Sequence, residues 1–365
     1  MKDLNQLLAI TGQFAIEGKV LEIKPLGNGL INDTLLVKTD GPDNYVLQRI
    51  NNAIFQDVEL LQHNIDCATA HIRRKLLAAG EKDVDRKVLR FLPCKATGKS
   101  YWTDGETYWR VSVFVKDAYT YETVDPKYSY FAGKAFGAFE AMLSDIPDTL
   151  GETIPDFHNM ELRARQLHEA VEADKAGRMA QPEVQAILAD LLPFEEEMCK
   201  AERLHREGRL PKRICHCDTK VNNMMFDADG NILCVIDLDT VMPSFVFSDF
   251  GDFLRTAANT VAEDDPAIEK VDFKMDIFEA FAKGYLESAR SFLTPIEVEN
   301  LPYAACLFPY MQAVRFFADY INGDTYYKIQ YPDHNLVRTR NQVALFHAAL
   351  EKTPQMQAII ARVTG

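Results

Sequence analysis

Apolar and polar positions alternate with a period of two in three stretches near the N-terminus: Val20-Leu21-Glu22-Ile23-Lys24-Pro25-Leu26, Thr34-Leu35-Leu36-Val37-Lys38-Thr39 and Tyr45-Val46-Leu47-Gln48-Arg49-Ile50. Successive side chains of a strand point to opposite faces, so this pattern predicts three strands, each with one face for a core. Gly27-Asn28-Gly29 separates the first two and Asp40-Gly41-Pro42-Asp43-Asn44 the next two, both of turn composition. A helix over 57–79 and two more strands near 88–92 and 107–115 follow, the last two divided by a hairpin signal at 98–105. Past Lys116 the period becomes helical, over 128–142, 159–173, 182–207, 273–290, 301–320 and 338–350. Gly133 and Gly137, four apart on the first of these, allow a close helix approach. Between the third and fourth lies a hairpin, with Met224-Met225-Phe226, a turn at Asp227-Ala228-Asp229-Gly230, and Ile232-Leu233-Cys234-Val235-Ile236 returning.

This order predicts an α+β chain of two lobes, a mainly-β lobe over 1–115 and a larger mainly-α lobe over 116–365. A length of 365 residues with 47% hydrophobic content is enough for a large core in each. The formal charge of −14 argues against nucleic acid or an anionic membrane as the main partner, because phosphate-rich surfaces are bound by clustered Lys and Arg. No apolar run reaches the length of a membrane span and no signal-peptide core follows Met1, so a cytoplasmic protein is expected. The seven cysteines are scattered and odd in number, as reduced thiols are. Cys215-His216-Cys217 lacks the spacing of a zinc site.

The hairpin is where chemistry concentrates. His216-Cys217-Asp218-Thr219-Lys220-Val221-Asn222-Asn223 precedes it and Ile236-Asp237-Leu238-Asp239 closes it. H-x-D-x-x-x-x-N followed by a hydrophobic residue and Asp is the spacing of a kinase catalytic loop with its metal-binding partner. Phosphoryl transfer from ATP needs a carboxylate to accept a hydroxyl proton, oxygen ligands for Mg²⁺ and a cation near the moving phosphoryl group. Asp218 fits the first need, Asn223 and Asp237 the second, and Lys220 the third. His216 fits a structural brace of the loop better than a base. At the N-terminus, Gly27, Asn28 and Gly29 run from strand to strand, which disfavours a Rossmann or Walker loop and fits either an ordinary turn or a phosphate cover. Arg49 stands where the third strand of a kinase lobe carries its phosphate-binding cation, and Glu59 on the following helix is the nearest carboxylate to brace it.

On these residues the chain resembles the aminoglycoside phosphotransferase and choline kinase superfamily, and within it the bacterial N-acetylhexosamine 1-kinases. The resemblance is carried by Tyr45-Val46-Leu47-Gln48-Arg49-Ile50-Asn51, by the Asp218 loop, and by Ile236-Asp237-Leu238-Asp239-Thr240-Val241-Met242-Pro243. Arg315-Phe316-Phe317-Ala318-Asp319-Tyr320 and His334-Asn335-Leu336-Val337-Arg338-Thr339-Arg340-Asn341-Gln342 add to it. It implies a two-lobed protein-kinase-like fold and an ATP- and Mg²⁺-dependent kinase acting on the anomeric hydroxyl of N-acetylglucosamine or N-acetylgalactosamine. Asp218 is then the catalytic base, with Lys220 and Arg315 as polar contacts to the acceptor. Asp239 is a further acidic residue at the metal or substrate, and Asp249 a buttress of the loop. From the residues alone Arg315 fits a ligand contact or a buried brace equally, and Tyr326, Tyr327 and Tyr331 leave an aromatic cage for a quaternary ammonium open. Choline, ethanolamine, homoserine or an aminoglycoside thus stand as rival acceptors, and a catalytically silent nucleotide- or sugar-binding protein as a rival of another class.

Overall fold

The computed structural model describes residues 3–27, 31–121 and 124–365. The chain forms two compact units, one of Met1–Thr120, Asp145–Pro155 and Met224–Met242, the other of Tyr121–Ser144, Asp156–Asn223 and Pro243–Gly365.

In the first unit, β1 (Val20–Pro25), β2 (Asp33–Thr39), β3 (Tyr45–Ile50), β4 (Trp102–Thr103) and β5 (Tyr108–Val113) form one antiparallel sheet in the order β1-β2-β3-β5-β4. Register explains its two faces. Leu35, Leu47 and Val111 are paired across β2, β3 and β5 and all three are buried, together with Leu7 and Ile10 of the Leu4–Thr11 helix, which carries an Asp3 capping box. The other face carries the polar row Thr34, Gln48 and Arg110, and the Val58–Ala78 helix sends Gln62 to Arg110. The strand expected at 88–92 does not form. Leu92 donates to Val111 O at 2.8 Å and Phe91 bridges Ser112, but Pro93 has no N–H with which to continue the ladder. The hairpin forms as expected, Met224–Phe226 against Ile232–Val235.

The second unit is mainly helical. Its closest packing joins the Pro126–Leu143 and Met275–Ala289 helices, where backbone meets backbone. A Cβ on Gly133 would collide with Phe281 O, one on Gly137 would lie 2.6 Å from Tyr285 O, and one on Gly284 would collide with Tyr130 O. The glycine pair does allow the close approach, and Gly284 is its counterpart. The helix expected over 182–207 is broken after Pro182–Leu191. Pro193 cannot donate, and Glu195, Glu196 and Glu197 favour a new N-terminus at Glu195–Met198, which Lys200–Arg206 follows. A helix over Phe247–Ala257, not among the expected ones, sets Phe247, Phe250, Leu254 and Ala257 at helical spacing, with Ser248, Asp249 and Asp252 buried beside them. Among the described residues no helix is long and apolar enough to cross a membrane.

Candidate active site

The Asp218 loop follows a short strand, Arg213–Cys215, and turns sharply. Cys217 has φ 61°, the only described residue other than Asp and Gly with positive φ. An L side chain resists this conformation, so it persists only where surroundings hold it. They do: the buried Asp249 carboxylate accepts from His216 N at 2.8 Å and Cys217 N at 2.7 Å, while Thr219 Oγ1 donates to Asp249 O at 2.8 Å. His216, packed edge-on by Phe136 and Phe139, accepts at Nδ1 from Asp218 N at 3.3 Å and so braces the loop from within.

Asp218 Oδ1 pairs with Lys220 Nζ at 2.6 Å. Asn223 closes the loop, its Nδ2 donating to Asp218 O at 2.8 Å and to Asp218 Oδ2 at 3.3 Å. These bonds commit the amide nitrogen and leave Oδ1 as the side chain's available acceptor. Asp218, Lys220 and Arg315 line one cavity of about 130 Å³ with His158, Asp252 and Arg255. Burial pushes the Asp252 carboxyl up to about 6 against the opposing pull of Arg255, which lies 3.5 Å away. His158 is held neutral, its imidazole lowered well below the usual range by burial and by Arg315, Arg163 and Arg255, and its enclosed Nδ1 has no partner among the described residues.

Arg315 lies on the Leu301–Ile321 helix and donates to Gln312 Oε1 at 3.2 Å, with its guanidinium over the Phe157 and Tyr327 rings. No carboxylate of the described residues pairs with it. Arg315 also lines a second cavity of about 400 Å³, with Arg163, Asp319, Tyr326 and Tyr327. Arg163 is likewise without a carboxylate partner among the described residues, bonding to Gln166 Oε1 and to the carbonyls of Asp156 and Phe157, and burial and Arg315 lower it to about 10. Asp319 does not offset the two arginines. Its carboxylate is taken by the amides of Thr325, Tyr326 and Tyr327 and by Asn335 Nδ2.

The remaining candidates lie in the first unit. Gly27 has φ 69° with nothing within 4 Å of where a Cβ would sit, so conformation rather than space favours glycine there; Asn28 and Gly29 lie outside the described residues. Arg49 is exposed on β3, on the Leu47 face, 3.6 Å from Asp33 Oδ2. Glu59 does not brace it: Glu59 binds Lys99 and Tyr101 Oη, which lie nearer its first helical turn. Asp237 is exposed at the end of the hairpin, with φ 59°. Asp239 is buried, ion-paired with Arg110 Nη1 at 2.6 Å and accepting from Asn32 Nδ2 at 2.6 Å. Arg110 also donates to Gln48 Oε1 at 3.0 Å and Gln62 Oε1 at 3.1 Å. Sequence reasoning passed over Arg110, although an arginine inside the apolar strand Tyr108–Val113 was a signal. It also passed over Asp252 and Arg255, whose i,i+3 spacing was visible, and His158, which nothing marked.

Residues 22–287 match the phosphotransferase enzyme family of aminoglycoside phosphotransferase type. Solved structures similar to this one include an aminoglycoside phosphotransferase from Alicyclobacillus acidocaldarius, at 13% identity and TM-score 0.60 over 98% of this chain and 96% of that one. A choline kinase from Cryptosporidium parvum matches at 12% identity and TM-score 0.57 over the full length of both chains. A spectinomycin phosphotransferase solved with ADP and spectinomycin matches at 13% identity and TM-score 0.55 over 96% and 98%. Identities this low establish the α+β fold of these kinases and nothing of the acceptor. With the family match spanning most of the chain, and the fold its entire length, the protein belongs to the aminoglycoside phosphotransferase family of phosphotransferase enzymes.

Proposed function

We propose that the protein is an ATP- and Mg²⁺-dependent kinase that transfers the γ-phosphoryl group to the anomeric hydroxyl of N-acetylglucosamine or N-acetylgalactosamine. Asp218 accepts the proton of that hydroxyl and Lys220 compensates charge on the moving phosphoryl group. The unit containing the five-stranded sheet takes the nucleotide, with Gly27, Asn28 and Gly29 covering the phosphates. Arg49 contacts them, its weak, exposed pairing with Asp33 being readily exchanged for phosphate. Asn223 and Asp237 would hold Mg²⁺; an amide oxygen that accepts no hydrogen bond from the described residues and an exposed carboxylate are the hard oxygen ligands this ion prefers. Held there, Mg²⁺ would supply positive charge against the phosphates. Arg315 contacts the acceptor. Asp239, neutralised by Arg110, contributes to the site by fixing the segment that carries Asp237. A cytosolic setting fits the need for ATP.

The observation that carries the acceptor class is charge. The cavity that Asp218 lines presents Arg315, and a second cavity that Arg315 also lines presents Arg163, neither paired with a carboxylate among the described residues. A cationic acceptor such as choline, ethanolamine or an aminoglycoside would enter against two guanidinium groups. Of the three tyrosines that could form an aromatic cage, Tyr327 already faces Arg315. A neutral sugar bearing hydroxyl and amide carbonyl oxygens meets instead the N–H groups of Arg315 that Gln312 leaves uncommitted. An anomeric hydroxyl is also more acidic than an ordinary alcohol, so an ordinary carboxylate suffices as base.

An ADP-release assay over N-acetylglucosamine, N-acetylgalactosamine, choline, ethanolamine, homoserine and an aminoglycoside tests this. Turnover is expected with the two sugars, with the product phosphorus signal assigned to C1. Faster turnover with any of the cationic acceptors would overturn the acceptor assignment.

A further inference from the structure

Beneath the Asp218 loop lies a layer of ionisable groups, shut off from solvent, that the chemistry above does not use. Asp249 receives the His216 and Cys217 amides, one on each carboxylate oxygen. Behind it stands Glu140 of the Pro126–Leu143 helix, 1% exposed. Tyr285 Oη, brought in by the glycine-mediated helix contact, donates to Glu140 Oε2, whereas Oε1 is enclosed with no hydrogen-bond partner among the described residues. Glu140, Asp249 and the Cys215 thiol present ligand atoms all within 4.8 Å of one another.

Two carboxyl groups this close, in an interior where neither is paired with a Lys or Arg among the described residues, do not both ionise. Arg213, on the strand of Cys215, is committed to Glu297 at 3.0 Å through both Nε and Nη2. His216 faces the layer, with its Nδ1 taken by Asp218 N–H. Cys215, Cys217 and Tyr285 are all held protonated by burial. Between the two acids the hydrogen bonds decide. Asp249 has an amide donor on each oxygen, which favours its anion; Glu140 has one phenol, and burial and the charge of Asp249 push its carboxyl well above the usual range.

We propose that Glu140 is a neutral carboxylic acid that donates its O–H to Asp249, and is thereby a positioning residue for the Asp218 loop. The proton keeps Asp249 anionic and in register with the two amides that hold Cys217 at positive φ, and this backbone aims Asp218. The inference rests on Asp218 being the working end of the loop.

Infrared difference spectra of the full-length protein, wild type minus Glu140→Gln, test the proton directly at about pH 8, above the range in which Glu202 and Asp252 titrate. A carboxylic-acid carbonyl band that shifts in D₂O is expected in wild type and not in the variant; its absence from the difference overturns the proposal. Glu140→Gln, still neutral and still a donor, should keep kcat within about threefold, whereas Glu140→Leu should lower kcat about tenfold or more with little change in either KM. Equal activity of the two variants refutes the positioning role. Should Glu140→Leu fail to fold, the infrared comparison decides alone. Stoichiometric metal in the purified protein that disappears in Glu140→Gln would overturn the proposal in favour of a metal site. The infrared measurement needs no turnover, so failure of the acceptor assignment leaves it readable.

Discussion

In the proposed reaction Asp218 and Arg315 do different work, and single substitutions separate them. Asp218→Asn keeps size and a polar contact to Lys220 but cannot take the proton, so kcat should fall by about 10²–10⁴, read in the ADP-release assay with nucleotide binding retained. Among the described residues Arg315 makes no ion pair whose other half would be stranded, and its removal relieves repulsion with Arg163. Arg315→Ala should therefore cost only about 0.5–1 kcal/mol of stability through its lost ring contacts, while raising the acceptor KM or lowering kcat. A variant that melts many degrees lower yet turns over normally would make Arg315 a brace. The alternatives left open in the sequence are narrowed here because the fold brings no described carboxylate to Arg315, and a missing partner leaves no mark in a sequence.

At the scale of elements, the contact between the Pro126–Leu143 and Met275–Ala289 helices is the most exacting joint. In an unconstrained helix Gly→Ala gains about 1 kcal/mol. At Gly133 the new methyl would meet the Phe281 carbonyl, which is backbone and cannot rotate aside. Gly133→Ala should give a net loss of about 1–3 kcal/mol by denaturant unfolding and loosen the Tyr285 contact to Glu140. Another joint is pH-sensitive. Glu202 accepts from Met160 N at 2.6 Å at the start of the Met160–Ala173 helix, and burial pushes its carboxyl up to about 7. A raised folded-state value means the folded protein holds this proton more tightly, so the contribution is present below about 4.5, the ordinary value, and is lost as pH rises through about 7. Glu202→Gln keeps the acceptor without the charge. It should match wild type near pH 4 and exceed it by roughly 3 kcal/mol at pH 8, since a tenfold difference in proton affinity between folded and unfolded chain is worth about 1.4 kcal/mol. Equal stabilities at pH 8 would mean the buried carboxyl is not penalised.

For the molecule as a whole, the proposed acceptor class implies linkage between binding and unfolding. A ligand at a hundred times its Kd stabilises the fold by about 2.7 kcal/mol. N-acetylglucosamine should raise the melting temperature in calorimetry accordingly, and choline at the same concentration should leave it unchanged. The cavities that carry this expectation gather residues from three distant stretches of chain, near 157–175, 217–255 and 308–327.

The strands β1, β2, β3 and β5, the hairpin, most long helices, and the Asp218, Asn223 and Asp237 spacing were legible in the sequence, because alternation, turn residues and short-range motifs are local properties. The segment at 88–92 and the break at Pro193 turned on a missing proline N–H, a local property that an apolar pattern does not weigh; tertiary structure decided the rest. The Phe247–Ala257 helix carries an apolar spacing that was readable; what the fold alone shows is that its polar residues are buried, Asp249 against the loop amides and Asp252 beside Arg255. Glu59 met Lys99 and Tyr101 rather than Arg49, and Asp239 met Arg110. The sequence shows which residues can ionise or donate; which of them meet, and which are left buried without a counter-charge, is set by the packing of elements that only the folded chain brings together.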